Sequence, residues 1–381
     1  MQVRPFEIAV PDDVLEDLRQ RLRRTRWPDS VPDVGWEQGM PPEALRGLLR
    51  YWAEEFDWPA QERRLNSFDH FQAEVDGVEV HFVHAHGAGP DAVPLICSHG
   101  WPGSFIEFLE LVPLLTDPAS NGIEGPSFEL VIPSLPGYGF TRMAPREGVT
   151  KRFTASLWHR LMRGLGYKRY GAHGGDFGAG VANFMALDQS ASLLGIHLTF
   201  LEDSPWTDGR PLSAAERAYR EDVERWEAEE YAYGHIQRTK PQTLAYGLND
   251  SPAGLAAWIL EKWRSWSDSG GELERRFDRE LLLTVLTIYW VTGTIGSSMR
   301  WYWDERRHGH SIGPGDFVSV PTAMAVFANE HVSEGMPPRE WAERLYDIRR
   351  WTVMPRGGHF AALEEPRLLA EDIAAFFGEL C

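Results

Sequence analysis

The chain has 381 residues, 43% of them apolar and 25% charged, enough for one large α/β core with an inserted or appended module and too apolar for wholesale disorder. A formal net charge of −18 argues against a nucleic-acid partner, which needs a basic surface, and suits a soluble, self-repelling protein. No stretch approaches the roughly 20 apolar residues that span a bilayer, the start MQVRPFEIAVPDD has no signal-peptide core, and Cys97 and Cys381 are the only cysteines, so a disulfide-free cytoplasmic protein is expected.

In chain order, Pro11-Asp12-Asp13 predicts a helix start, with Val14, Leu15, Leu18 and Leu22 at helical spacing, and Arg26-Trp27-Pro28-Asp29 ends it. The basic run RQRLRRTR at 19–26 reads as a solvated face. A second helix is predicted over PPEALRGLLRYWAEEF. These helices are too few to form a core alone and are expected to wrap against the main body. From residue 70, HFQAEV and VEVHFVHAHG flank Asp76-Gly77, a hairpin signal. His81, His84 and His86 alternate on that strand; zinc would also want other ligands nearby, and a surface or sheet-face role is expected instead.

Short apolar runs then alternate with helical stretches: PLICSHG, FELVIPS, KRYGAHG, LLGIHLTF, VPTAMAVFA and RRWTVMP. That rhythm predicts a mostly parallel sheet with helices on both faces. About 205–315 interrupts it with a Trp- and Tyr-rich helical interval between two strands, as a lid would. Four segments result: 1–90, an N-terminal segment and first hairpin; 91–204, the first part of the core; 205–315, the lid; and 316–381, the second part of the core.

Within YGAHGGDFGAG (170–180), Gly174-Gly175-Asp176-Phe177-Gly178 has the shape of the G-x-nucleophile-x-G elbow of the α/β-hydrolase fold, with aspartate where esterases have serine. A helix N-cap is the competing reading of Asp176. Two other segments favour catalysis. His99-Gly100-Trp101-Pro102-Gly103 follows a strand where such folds place one oxyanion donor, the Trp101 N–H, while Phe177 would supply the other. His359, in Arg356-Gly357-Gly358-His359-Phe360, holds the place of the last triad member, and Glu330 ends the strand between.

The aspartate is explained by what it attacks. Serine alkylated at an sp³ carbon gives an ether, a dead end; aspartate gives an ester that water can cleave. The substrate should therefore be an epoxide or an alkyl halide. An opening epoxide develops a basic alkoxide and wants an acid such as a tyrosine O–H. Tyr219, Tyr231 and Tyr246 read mostly as packing residues, and spacing alone selects no lid tyrosine.

The stretches HGWPGSFIEFLELVPLL, HGGDFGAG, GHIQRTKPQTLAYGLNDSPAGLAAWILEKW, TGTIGSSMRWY and RGGHFAALEEP resemble the microsomal-type epoxide hydrolases, and PFEIAVPDDVLEDLRQRLRRTRWPD resembles their N-terminal segment, so the likeness spans nearly the whole chain. It implies an α/β-hydrolase fold, with Asp176 as nucleophile, His359 as base, Glu330 as its orienting acid, and Tyr233 and Tyr302 as lid acids. Trp101 and Trp301 are the substrate-contacting tryptophans expected with it. The expected partners are an apolar or aromatic epoxide and water, with no metal, no organic cofactor and no membrane anchor; a homodimer is compatible with the sequence. Animal members carry an anchor ahead of the segment where this chain starts, and Phe177 stands where the family more usually has tryptophan. The excess of arginine over lysine suggests a GC-rich bacterial genome. Bacterial sequences that this chain resembles occur in natural-product pathways, including enediyne ones, and the resemblance implies such a setting. A haloalkane-type dehalogenase is the runner-up; a non-catalytic ligand-binding protein is the alternative from another class.

Overall fold

A computed structural model describes residues 1–201, 209–313, 315–332 and 336–381; the segment boundary expected at 204/205 lies outside the described residues. Its strands are β1 (Val3–Pro5), β2 (His70–Val75), β3 (Val78–Ala85), β4 (Val93–Ser98), β5 (Phe128–Pro133), β6 (Tyr170–Gly174), β7 (Leu193–Leu198), β8 (Val318–Phe327) and β9 (Tyr346–Met354). They form one sheet in the order β1-β2-β3-β5-β4-β6-β7-β8-β9. The β1/β2, β2/β3 and β3/β5 pairs are antiparallel and the rest parallel. Asp76 and Gly77 close the β2–β3 hairpin with φ of 51° and 75°, the left-handed pair that a two-residue turn matching strand twist requires.

The central strands read as continuous apolar runs because both faces are covered. Helices Lys151–Gly164 and Phe177–Asp188 pack together on one side, and the C-terminal helix Pro366–Gly378 lies against β7, β8 and β9. Helix Phe177–Asp188 is buried nearly all round, which is why its sequence, FGAGVANFMALD, lacks a polar stripe. Strand order reverses at β4, whose neighbours β5 and β6 lead to opposite edges. Loops leaving the carboxyl ends of β4 and β6 therefore diverge over a crevice, the place where sheets of this kind bind ligands.

Among the described residues, six α-helices lie between β7 and β8: Ala214–Glu229, Ala232–Gln237, Pro241–Asp250, Pro252–Trp266, Arg279–Thr292 and Ile295–His308. The N-terminal helices Asp12–Arg23 and Pro42–Glu54 pack on this lid rather than on the sheet alone: Trp52 Nε1 donates to Thr287 Oγ1 at 3.0 Å, and Arg21 reaches Asp250 at 2.6 Å. Among the described residues no single helix is long and apolar enough to cross a membrane. Cys97 is buried and Cys381 exposed, and both are free.

The hairpin histidines divide. His81 is sealed in the sheet between His70 (2.9 Å) and the Ser134 hydroxyl (2.9 Å). His84 and His86 instead meet Glu129 of β5, at 3.0 and 2.5 Å, a carboxylate that sequence spacing does not reveal. Tyr167 and the Gly87 N–H also donate to Glu129, so this cluster is already satisfied as a hydrogen-bond network.

Candidate active site

Asp176 sits between β6 and helix Phe177–Asp188 with φ 48° and ψ −130°, a conformation costing a non-glycine residue about 1–3 kcal/mol. Its side chain makes no capping bond to the helix it precedes, so the N-cap reading is not what the geometry shows. The turn closes because Gly178 has no side chain: a Cβ there would lie 1.8 Å from the Ser98 carbonyl oxygen at the end of β4. Gly100 is constrained likewise, since a Cβ would stand 2.2 Å from Asp176 Oδ1. That close approach lets the Trp101 N–H donate to Asp176 Oδ1 at 2.9 Å. No matching bond from the Phe177 N–H to Asp176 is formed among the described residues.

The loop after β9 brings His359 over the other carboxylate oxygen, with Nε2 3.7 Å from Asp176 Oδ2. Its Nδ1 meets Glu330 Oε2 at 3.0 Å, and both side chains are 4% exposed. Glu330 follows β8 by three residues and is fixed through Oε1, which accepts from the Val332 N–H at 2.7 Å. Burial alone would lower the His359 pKa, but the carboxylates of Glu330 and Asp176 outweigh it and raise the value to about 9.

The two lid tyrosines come from separate helices and meet above the elbow. Tyr233, on Ala232–Gln237, stacks on Trp101 with centroids 5.2 Å apart and planes within 8°. Tyr302, on Ile295–His308, stands perpendicular to Trp101 at 5.8 Å and to Phe177 at 4.8 Å. Both are buried, with ring centroids 6.0 Å apart. Burial first, then the nearby Tyr233 and Asp176, push the Tyr302 phenol pKa well above its ordinary value, so it keeps its proton. Trp301 is placed differently. Its indole N–H is committed to the Pro136 carbonyl at 2.7 Å and its ring packs behind Phe177 at 5.4 Å, a bracing position rather than an open one. Of the other tyrosines, Tyr219 packs on Trp341, Tyr231 lies edge-on to Tyr233, and Tyr246 is exposed.

Several supporting groups are not apparent from sequence. Glu364 accepts from the backbone N–H groups of Gly358, Phe360 and Asp268, which sets the loop carrying His359. Glu365 binds Arg356 and Arg276 beside it. The signal was the Glu-Glu pair in RGGHFAALEEP, indistinguishable from a solvated helix end without the fold. Lys262 is buried, paired with Glu261 at 2.5 Å, and its ammonium lies 4.9 Å from the Tyr233 ring centroid. A cation there favours the negative charge that grows on a phenol giving up its proton. Finally, Asp176, His359 and Trp101 line a cavity of about 20 Å³ with Glu107, His173 and Thr199; neither lid tyrosine lines it.

Residues 3–108 match the family described as epoxide hydrolase N terminus, and residues 93–208 match the alpha/beta hydrolase fold. Epoxide hydrolase 1 of Oryctolagus cuniculus is 38% identical over 99% of this chain and 89% of its own length. The chain belongs to the epoxide hydrolase family. Among solved structures, the juvenile hormone epoxide hydrolase of the silkworm Bombyx mori superposes on this epoxide hydrolase with TM-score 0.84 at 32% identity, covering 100% of this chain and 94% of that one. The Aspergillus niger epoxide hydrolase gives 0.86 at 29% identity, covering 100% and 97%. The fold is therefore that of the α/β-hydrolases, and the enzyme is an epoxide hydrolase acting with water on an epoxide.

Proposed function

We infer that this epoxide hydrolase works in two covalent steps, with Asp176 as nucleophile, His359 as base, Glu330 as its orienting acid, and Tyr233 and Tyr302 as the acids for ring opening. The observation that carries the reading is the position of Asp176. One of its oxygens is held by the Trp101 N–H at 2.9 Å, while the other lies 3.7 Å from an imidazole anchored by Glu330. In the first step a carboxylate oxygen attacks a ring carbon, the C–O bond of the epoxide breaks, and a tyrosine proton passes to the departing oxygen. Asp176 thereby becomes a neutral ester. The charge that helped to keep His359 protonated is gone, so the imidazolium releases its proton, the tyrosinate is reprotonated, and a neutral base is left.

In the second step His359 takes a proton from water as its oxygen bonds to Asp176 Cγ. The Trp101 and Phe177 N–H groups receive the tetrahedral oxyanion. The acyl–oxygen bond to the substrate then breaks and the leaving alkoxide takes the proton from His359, giving a vicinal diol. The remaining proton of the water returns His359 to its charged resting form. Neither step calls for a metal or organic cofactor.

Trp101, Tyr233, Tyr302, Phe177 and Trp266 pack ring to ring around the elbow, an environment that suits an aryl or polycyclic epoxide. The 20 Å³ cavity at Asp176 is far below the roughly 300–1,000 Å³ of pockets for drug-sized ligands, so such a substrate has to part the lid aromatics from the elbow.

In a single turnover with styrene oxide in heavy-oxygen water, the label is expected in Asp176 and absent from the diol; a labelled diol in that first turnover rejects the ester. His359→Gln is expected to accumulate enzyme heavier by one substrate. The sealed Trp101 indole N–H, which has no acceptor among the described residues, is a weak donor of the kind a halide needs, and so keeps a dehalogenase as the second reading. Turnover of haloalkanes with no styrene glycol formed would favour it. Saturable binding with neither product is the outcome expected of a non-catalytic receptor.

A further inference from the structure

The histidines of β3 lack, along the chain, the further ligand that a metal ion would want, and the fold supplies one. Ala85 pairs with Leu130 across β3 and β5, so His86 and Glu129 are the next residues beyond that pair, and His84 shares a face with His86 two residues back. One ligand atom each from His84, His86 and Glu129 lies within 4.8 Å of the other two. His84 Nε2 stands 3.0 Å from Glu129 Oε1, and His86 Nδ1 stands 2.5 Å from the same oxygen. His81 takes no part, being committed to His70 and Ser134.

A hydrogen-bond network accounts for each of these polar atoms taken singly. It does not account for their convergence. Glu129 Oε1 faces His84, His86 and the Tyr167 hydroxyl at 2.8 Å all at once, while Oε2 meets, among the described residues, only the Gly87 N–H at 3.2 Å. The Tyr167 hydroxyl, with one proton, also lies 2.9 Å from His84 Nε2. Groups crowded on one carboxylate oxygen, with the other nearly idle, are arranged around a common centre. Zinc takes imidazole nitrogen and carboxylate oxygen at about 2.0–2.2 Å, which in a tetrahedron sets neighbouring ligand atoms roughly 3.2–3.6 Å apart. Widening the present contacts by less than about 1 Å reaches that spacing. His86, 67% exposed, has room to make the movement, whereas His84 and Glu129 are largely covered and held by their strands. The Tyr167 hydroxyl and the Gly87 N–H then remain as donors that fix the carboxylate, the support a metal-binding carboxylate needs.

We propose that His84 Nε2, His86 Nδ1 and one oxygen of Glu129 bind a single zinc ion, with water as its fourth ligand, and that the ion fastens β3 to β5. Two imidazoles with one carboxylate select zinc over magnesium or calcium, which want oxygen donors throughout. The site's place in the sheet separates it from catalysis. Glu129 stands near the start of β5, whereas Asp176 follows the end of β6, and β4 runs parallel to both strands. The zinc site is therefore at the amino ends of the parallel strands and the reaction at their carboxyl ends. The strands it joins form the seam at which the antiparallel β1-β2-β3 unit meets the parallel core. Its role is structural: an ion bound there holds the N-terminal strands on the sheet, and hydrolysis of an epoxide proceeds with or without it.

The test uses the full chain, dialysed against a chelator and then against metal-free buffer, and titrated with zinc chloride in a calorimeter. Wild type is expected to bind one zinc per chain. His86→Gln and Glu129→Gln are each expected to lose at least about 100-fold in affinity, beyond the 10–100-fold typical of losing only a supporting contact. His86 is exposed, so its replacement leaves the fold intact, and circular dichroism verifies this. Cobalt(II) in place of zinc is expected to develop a visible absorption band in wild type that His86→Gln lacks. Saturating zinc chloride should raise the melting temperature of wild type by several degrees and leave that of His86→Gln unchanged, because only an ion bound to the native state stabilises it. Magnesium chloride at the same concentration should do neither, and His86→Gln should form diol from styrene oxide as wild type does. Absence of saturable zinc binding overturns the proposal and leaves a hydrogen-bond network. Equal affinity in wild type and His86→Gln overturns it as well, placing the ion on other histidines. Zinc bound through His86 with no rise in melting temperature overturns the structural role.

Discussion

At the scale of single residues, the site divides labour by where each charge is allowed to exist. Asp176 keeps some exposure, 19% of its side chain, whereas His359 and Glu330 are nearly sealed. In the proposed mechanism the two phenols face a different requirement, because they are to be neutral before ring opening and to lend a proton during it. Burial holds Tyr302 in the neutral form, while Lys262 stands by Tyr233 to favour the charge that develops. Removing either O–H should therefore slow ester formation without stalling its hydrolysis. Tyr233→Phe and Tyr302→Phe are each expected to lower the alkylation rate about 10–100-fold and the double variant at least about 10³-fold, in the range for general acids. Stopped-flow tryptophan fluorescence on a styrene oxide panel checks this, and a double variant opening epoxides at the wild-type rate would remove both tyrosines from the mechanism. Asp176, His359 and Glu330 were legible in sequence because each sits just after a strand, in the chain order of the fold. The tyrosines were not: Tyr219, Tyr231, Tyr233, Tyr246 and Tyr302 share one composition and one helical interval, and only the resemblance singled out two of them. Glu107 and Lys262 were hidden for a related reason, since a Glu in a helical turn and a Lys in a helix are ordinary surface residues until something covers them.

Among the secondary-structure elements, the strand-to-helix turn at Asp176 is the part with least tolerance. Helix Phe177–Asp188 approaches the end of β4 through Gly178, and the obstacle to any larger residue is a backbone carbonyl that belongs to the sheet and cannot swing aside. Gly178→Ala should therefore lift the helix from β4 and move Asp176 away from the Trp101 N–H. The expected result is a destabilisation above about 3 kcal/mol, the upper range of overpacking, with loss of ester formation; chemical denaturation and intact mass measure the two. Wild-type stability in that variant would mean that the contact is relieved by a shift of the loop. The strands themselves were visible as apolar runs, and β2–β3 as a hairpin, because each of those signals is local. The destination of the N-terminal helices was not. Their apolar stripes promise a partner without naming it, and the partner is the lid, through contacts such as Trp52 with Thr287 that span most of the chain.

Over the whole molecule, the buried ionisable groups give stability a direction with pH. His359, raised to about 9 from 6.5, stabilises the native state fully below 6.5 and loses that contribution as pH rises through 9. Glu107, raised to about 8 from 4.5, and Glu364, raised to about 7, act with the same sign: native protein holds protons that the unfolded chain would have released, so stability falls as pH rises from 4.5 through those values. Asp372, despite burial, is held near 2 by His197, Thr352 and Arg350, and contributes stability present above 3.8 and lost as pH falls through 2. The buried histidines His70, His81, His99 and His173, held below 6.5 by burial, act with the opposite sign, so that stability lost in acid is regained as pH rises to 6.5. Maximum stability is thus expected near neutrality, with a decline toward alkaline pH. Urea unfolding between about pH 7 and about pH 9 measures the decline, and Glu107→Gln should flatten its lower part. A stability that rises across this interval would contradict the assignment of protons to these groups.

What the sequence determined by itself is everything carried by near neighbours along the chain: the alternation of strands and helices, the elbow with its aspartate, and the order of nucleophile, acid and histidine. The sequence also pointed to an alkylating electrophile, epoxide or alkyl halide, because a carboxylate in place of a hydroxyl is a statement about bond chemistry that needs no coordinates. Only the tertiary structure decided which tyrosines meet over Asp176, that Trp301 braces Phe177, and that Glu107 shares a water-sized space with His359. Those outcomes depend on burial and on distances between residues far apart in the chain, and neither quantity exists until the sheet, the lid and the loops close on one another.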